Sequence, residues 1–203
     1  MSKELSKTQL DVMHEVINIG TGHAADALSR LIDERVVVAV PEVKMVPLTD
    51  VPRLLGGAEM SIVGIYFRFS GDLSGSILLF LPEDVISSLI SFLTAGVSPD
   101  DPSEKEDIQR SALMELGNIV ANSYLNAIAE LMDMRIFISV PYFSQDLLGA
   151  MIDVLLIQVA EAADYALLLE TVINSQQRKI DCSLAIFLED ESLNKIFDKT
   201  GLK

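Results

Sequence analysis

The chain has 203 residues, half of them apolar, and a formal net charge of -15. That is enough chain to bury a core, and the charge excludes nucleic acid as a partner, because a phosphate backbone needs a basic face and 30 Asp and Glu outweigh 15 Lys and Arg. The same balance disfavours anionic membrane surfaces and keeps the molecule in solution by self-repulsion.

Ser6-x-x-Gln9 has the form of a capping box. It opens an apolar pattern of helical period that continues to about residue 33, a helix roughly 40 Å long. A β-branched strand is expected over 35–40, stopped by Pro41, since proline cannot continue a central ladder. A short helical segment near 50–57 precedes strands near 60–69 and 73–81 and a helix over 83–95. Residues 96–102, GVSPDDP, read as a linker. Ser103-x-x-Glu106 is a second capping box, and its helix runs to about residue 133. A strand over 135–140 ends at Pro141, followed by a helical segment over 144–160, strands near 164–173 and 180–188, and a helix over 190–200. Cys182, the single cysteine, falls in an apolar strand and reads as a small buried hydrophobe. It allows no disulfide within the chain. With an N-terminus that has no apolar signal core, and no run of about 18 apolar residues, this points to the cytoplasm.

The two halves repeat. Laid without a gap over 111–141, residues 11–41 are identical at nine of thirty-one positions: Glu15/Glu115, Asn18/Asn118, Ile19/Ile119, Ala27/Ala127, Leu31/Leu131, Asp33/Asp133, Arg35/Arg135, Val40/Val140 and Pro41/Pro141. Unrelated segments of ordinary composition would share about two. The elements also follow the same order in each half. The expected architecture is α+β: one internally duplicated pseudo-two-fold domain over 1–203, made of copies at about 6–96 and 103–203. Its two long helices pack with a shared, mostly antiparallel sheet.

Asp11, Glu15 and Asn18 stand at i, i+4 and i+7, within a sector of about 60° on a helix. Met13, Val16, Ile17, Gly20 and Ala24 take the opposite, core-facing side. Ser111, Glu115 and Asn118 repeat the stripe, opposite Leu113, Leu116, Gly117 and Val120. An amphipathic helix always has a polar face, but charge alone would satisfy it. Nearby positions diverge between the copies, as at His14/Met114, Arg30/Glu130 and Glu34/Met134, while Glu and Asn recur. Asn is a mediocre helix former, so its repetition asks for a function.

Neither histidine recurs, and no His/Cys set has metal-site spacing. A neutral amide cannot take a proton from water, but it can hold water in line with a phosphorus atom. Phosphoryl transfer depends chiefly on such positioning and on charge stabilisation. A carboxylate next to a phosphoryl group repels it unless a cation intervenes, so Glu15 and Glu115 would pair with a lysine of the substrate. The site is then completed by its substrate. Gly20-x-Gly22 follows a helix and lacks the lysine or third glycine of a phosphate loop, so close helix packing accounts better for both glycines.

The pattern D/S-x3-E-x2-N-x22-P occurs as Asp11, Glu15, Asn18, Pro41 and again as Ser111, Glu115, Asn118, Pro141. It resembles the CheC family of chemotaxis phosphatases over essentially the whole chain. The resemblance implies an enzyme that dephosphorylates the phospho-aspartate of the response regulator CheY, with both Glu/Asn pairs functional and Mg²⁺ held in the regulator's acidic pocket. No cofactor is expected on this chain. The related CheX phosphatases carry one site per chain and dimerise, whereas two sites favour CheC and an expected monomer. FliY, a flagellar-switch relative, would need a further C-terminal domain. The family also implies a partner, the receptor deamidase CheD, docking on residues 143–157 with Asp146 and Leu147 at the contact. Leu147, Leu148, Met151 and Ile152 could equally be core. An adaptor that binds CheD with little turnover is the alternative to the enzyme.

Overall fold

A computed structural model describes residues 7–94, 101–159, 165–175 and 179–199. The first copy contains α1 (Lys7–Ile32), β1 (Val37–Pro47), a 3-10 turn (Leu48–Asp50), α2 (Val51–Leu54), β2 (Ser61–Gly71), β3 (Gly75–Pro82) and α3 (Glu83–Leu93). The second contains α4 (Pro102–Met132), β4 (Ile136–Ile138), β5 (Tyr142–Leu147), α5 (Leu148–Val159), β6 (Tyr165–Asn174), β7 (Lys179–Leu188) and α6 (Asp190–Lys199).

Among the described residues seven strands form one sheet in the order β1-β6-β7-β3-β2-β4, with β5 also on β2. All pairings are antiparallel. The order is a palindrome about the β3–β7 junction. Each copy also lends its first strand to the other: β1 pairs with β6, and β4 and β5 pair with β2. The shared sheet and the pseudo-two-fold arrangement therefore agree with the α+β expectation.

Both faces of the sheet are covered. On one side α1, α4, α3 and α6 pack on Val63, Ile65, Phe67, Ile77, Leu79, Leu169, Leu184 and Ile186. On the other, Val51 and the α5 residues Leu148, Met151, Ile152 and Leu155 cover Ile62, Leu78, Phe80, Leu168 and Phe187. This alternation is the period of two of a strand, and it explains why the central strands are nearly continuous apolar runs. Cys182 is buried in the first cluster.

Several details differ from the sequence expectation. Pro41 does not end β1. The register slips between Ala39, opposite Val172, and Glu42, opposite Glu170, so Val40 and Pro41 form a bulge on an outer strand. An edge bulge requires no ladder donor there, so proline is tolerated. In the second copy the same place is an interruption: β4 ends at Ile138, and β5 resumes after Pro141. Residues 144–147, expected as helix, are instead the end of β5, and the helical segment begins at Leu148. The cap of α4 is Asp101, whose Oδ1 accepts the backbone N–H of Ser103 at 2.8 Å and of Glu104 at 3.3 Å. Pro102 fills the first helical position, so Ser103 lies inside the helix and caps nothing. Ser6 and residues 96–100 of the linker lie outside the described residues.

Both long helices end on an aspartate in left-handed conformation, Asp33 at φ 52° and Asp133 at φ 47°. Aspartate tolerates this region better than most side chains. The repeated Asp is thus structural. Among the described residues no helix is long and apolar enough to cross a membrane.

Candidate active site

The two long helices lie against each other with their apolar faces inward. Met13, Val16, Ile17, Ala24, Leu113, Leu116 and Val120 are all buried. Gly20 permits the closest approach: a Cβ there would lie 2.5 Å from Cδ1 and 3.0 Å from Cα of Tyr124. Tyr124 is fully buried, and its hydroxyl meets Thr21 Oγ1 at 3.2 Å across the helix pair. Burial pushes the phenol up to about 12, with the Thr21 hydrogen bond opposing. Gly22 has open space where its Cβ would stand, so close packing explains Gly20 and not Gly22.

This packing turns both polar stripes outward. Asp11, Glu15 and Asn18 are exposed on α1, as are Ser111 and Glu115 on α4, and Asn118 is half-buried. In the second copy an open groove of about 520 Å³ is lined by Ser111, Met114, Glu115, Asn118, Ile138, Ser139, Val140 and Pro141. All four motif residues therefore meet in one concavity, although 22 residues separate the amide from the proline. In the first copy Pro41 occupies the bulge of β1, a strand in contact with α1, and is exposed, as are Asp11, Glu15 and Asn18.

The far wall of the second groove has an identifiable cause. Where β4 breaks from β5, Ser139 Oγ accepts the Arg68 N–H at 3.0 Å and donates to the Val140 carbonyl at 2.9 Å. The Ser139 N–H donates in turn to the Arg68 carbonyl at 2.8 Å. A hydroxyl thus replaces a missing ladder group and holds Val140 and Pro141 over α4. Arg110 stacks on the Phe143 ring at 5.2 Å, tying the start of the stripe to β5. Val140, in the wall of the groove, is 86% exposed and presents an apolar side chain to solvent.

Sequence reasoning missed Met114, Ile138, Ser139 and Val140 as lining residues, and it missed Asn122. The Asn122 amide donates to both the backbone carbonyl and the side-chain oxygen of Asn118, at 2.8 and 2.9 Å. The i, i+4 spacing was visible, but comparison of the copies hid it, because Gly22 stands at the equivalent place. Asp146 and Leu147 lie apart from the groove, exposed near the end of β5, and Asp146 Oδ1 accepts the Leu147 N–H at 2.7 Å.

The CheC-like family pattern matches this chain twice, over residues 9–45 and 108–144. The chain is also 32% identical over 200 residues to the CheY-P phosphatase CheC of Bacillus subtilis, covering 97% of this chain and 96% of that protein. This chain belongs to the CheC-like family. Both family segments contain one stripe and its proline, so the family pattern coincides with the repeated unit. The fold is shared more widely than the CheC-like sequence. The crystal structure of Thermotoga maritima FliY matches with a TM-score of 0.73 at 19% identity, covering 97% of this chain and 98% of that one. The CheX-CheY-BeF3-Mg²⁺ complex of Borrelia burgdorferi gives 0.52 at 17%, covering 86% and 98%.

Proposed function

We propose that this CheC-like chain is a phosphatase of a CheY-type response regulator, with an active site on each long helix. The observation that carries the reading is the second groove, which gathers Ser111, Glu115, Asn118 and Pro141. Support for the substrate comes from the near full-length similarity to a CheY-P phosphatase.

In this reading the Asn118 amide holds a water in line with the phosphorus of the regulator's phospho-aspartate. The water oxygen forms a new P–O bond, and the bond from phosphorus to the aspartyl oxygen breaks. That oxygen leaves as a carboxylate, and both of the water's protons depart with the inorganic phosphate as dihydrogen phosphate. Glu115 pairs with a regulator lysine and fixes the docked pose, and Asn18 and Glu15 do the same in the first copy. The Mg²⁺ resides in the regulator's acidic pocket, and this chain contributes no metal ligand. The exposed Val140 beside the amide gives the regulator an apolar contact to cover. The protein acts as a cytoplasmic monomer.

The test is loss of phosphate from a phosphorylated CheY-type receiver domain at sub-stoichiometric protein. Asn18→Ala or Asn118→Ala alone leaves partial turnover, and the double variant loses nearly all of it. Abolition by one single change would refute the two-site reading. Asn118→Asp, with Asn18→Ala, separates water positioning from general-base chemistry. The carboxylate repels the phosphoryl oxygens and does no better than alanine, whereas a general base would work better.

A second contact, docking of a CheD-type receptor deamidase, is favoured by the exposed Asp146 and Leu147 beside an apolar groove of about 250 Å³. That groove is lined by Tyr142, Asp146, Met151, Val154 and Leu155, among others. Asp146→Lys weakens that binding and leaves phosphatase turnover intact. Loss of turnover together with a lowered melting temperature would mark the segment as structural instead.

A further inference from the structure

Asn118 is the residue on which water positioning depends, and its side chain ends in an sp² amide. Rotation about such a terminal torsion is broad and nearly two-fold, so an untethered amide presents its oxygen and its NH₂ to the groove in turn. Only one of these orientations serves a given hydrogen-bond pattern at the attacking water. The geometry of α4 removes this freedom. The Asn122 side-chain nitrogen donates to two oxygens of one residue, the Asn118 backbone carbonyl at 2.8 Å and Asn118 Oδ1 at 2.9 Å. Asn122 is half-buried one turn further along the helix and does not line the groove. The bond identifies which end of the Asn118 amide is oxygen and leaves that oxygen a second lone pair. The amide protons then face away from Asn122. Donation into Oδ1 also polarises the amide, strengthening its N–H groups as donors.

The first copy lacks this device. Position 22 is glycine, which has no side chain to reach back to Asn18. The space is available, since a Cβ at Gly22 would meet nothing within 4 Å. The difference is therefore one of side chain, not of room.

We propose that Asn122 is a positioning residue of the second site, holding the Asn118 amide in its working orientation, and that the first site turns over more slowly because Gly22 cannot do so. This rests on the phosphatase reading above. The two can fail separately, because the double Asn18→Ala, Asn118→Ala variant tests the reading and Asn122 tests the inference.

The experiment uses the full chain and a phosphorylated CheY-type receiver domain, with one site silenced at a time. In an Asn18→Ala background, Asn122→Ala lowers kcat roughly three- to tenfold, the loss of one hydrogen bond's worth of order, and KM stays as it was. Asn122→Asp, which keeps the size but donates nothing, falls equally. In an Asn118→Ala background, Gly22→Asn raises the kcat of the first site by a similar factor at unchanged KM. This gain-of-function arm holds even if Asn122→Ala is poorly folded, and melting temperatures accompany each variant. Unchanged kcat in Asn122→Ala overturns the inference, as does a matching rise in KM or a Gly22→Asn variant no faster than its parent. Turnover surviving in the double Asn variant would instead overturn the phosphatase site itself.

Discussion

Replacing each glycine of Gly20-Thr21-Gly22 by alanine is expected to move stability in opposite directions. Both are interior positions of α1, so each substitution gains helix propensity of about 1 kcal/mol. At Gly22 nothing opposes the gain, because the added methyl meets no atom within 4 Å. At Gly20 the methyl would lie 2.5 Å from the Tyr124 ring and 3.0 Å from the Tyr124 Cα. The ring is fully buried and tethered through its hydroxyl to Thr21, so it has no empty space to swing into. The close backbone atom means that the two helices must separate. Overpacking of this kind costs roughly 1–3 kcal/mol, and the upper half of that range fits a backbone clash. Gly20→Ala is therefore destabilised by about 1–2 kcal/mol net, while Gly22→Ala is stabilised by about 1. For a chain of this size the two should differ in Tm by roughly 4–12 °C. Urea unfolding followed by circular dichroism reads the same difference as a shift in midpoint at constant slope. Equal shifts in the same direction would refute the view that Gly20, and not Gly22, sets the helix contact between the two sites.

Asp101→Ala removes the cap of α4 and costs about 1 kcal/mol by urea titration, whereas Ser103→Ala is nearly neutral; the reverse would restore the capping box. Ser139→Ala deletes the hydroxyl that bridges Arg68 and Val140, so with the first site silenced turnover falls about fivefold, one hydrogen bond's worth, and unaltered kcat/KM would detach the loop from the site. Burial, with a smaller push from Asp181, raises the Cys182 thiol from 9.0 to about 12. The unfolded chain ionises there first, so stability is whole below about pH 9 and declines as pH rises towards 12. Cys182→Ala flattens that decline in urea midpoints measured between pH 8 and 11, and an identical slope would remove Cys182 as its cause. Native protein should also resist iodoacetamide until unfolded.

Much of the molecule is written locally. The 3.6-residue period of Met13, Val16, Ile17, Gly20 and Ala24 decided which way α1 faces, and the stripe of Asp11, Glu15 and Asn18 followed from the same geometry. The repeat made both the long helices and the family legible, because a duplicated unit displays its required residues twice. Strand pairs also read correctly, since apolar runs bounded by turns need no partner to be recognised. The nonlocal features did not read. Whether Pro41 ends a strand depends on what lies beside it, and β1 is an outer strand whose bulge asks nothing of that nitrogen. Residues 144–147 run directly into the helical pattern that follows, but the edge of β2 draws them into the sheet. The exchange of first strands between copies is equally invisible, because pairing is chosen by the whole sheet. The site divides along the same line. Glu115 and Asn118 were legible as types in register on one helix, while Ser139 and Val140 reached the groove only because β4 and β5 fold across α4. Local periodicity sets the direction of a side chain; which distant backbone it then faces is decided by the packing of the two copies around their shared sheet.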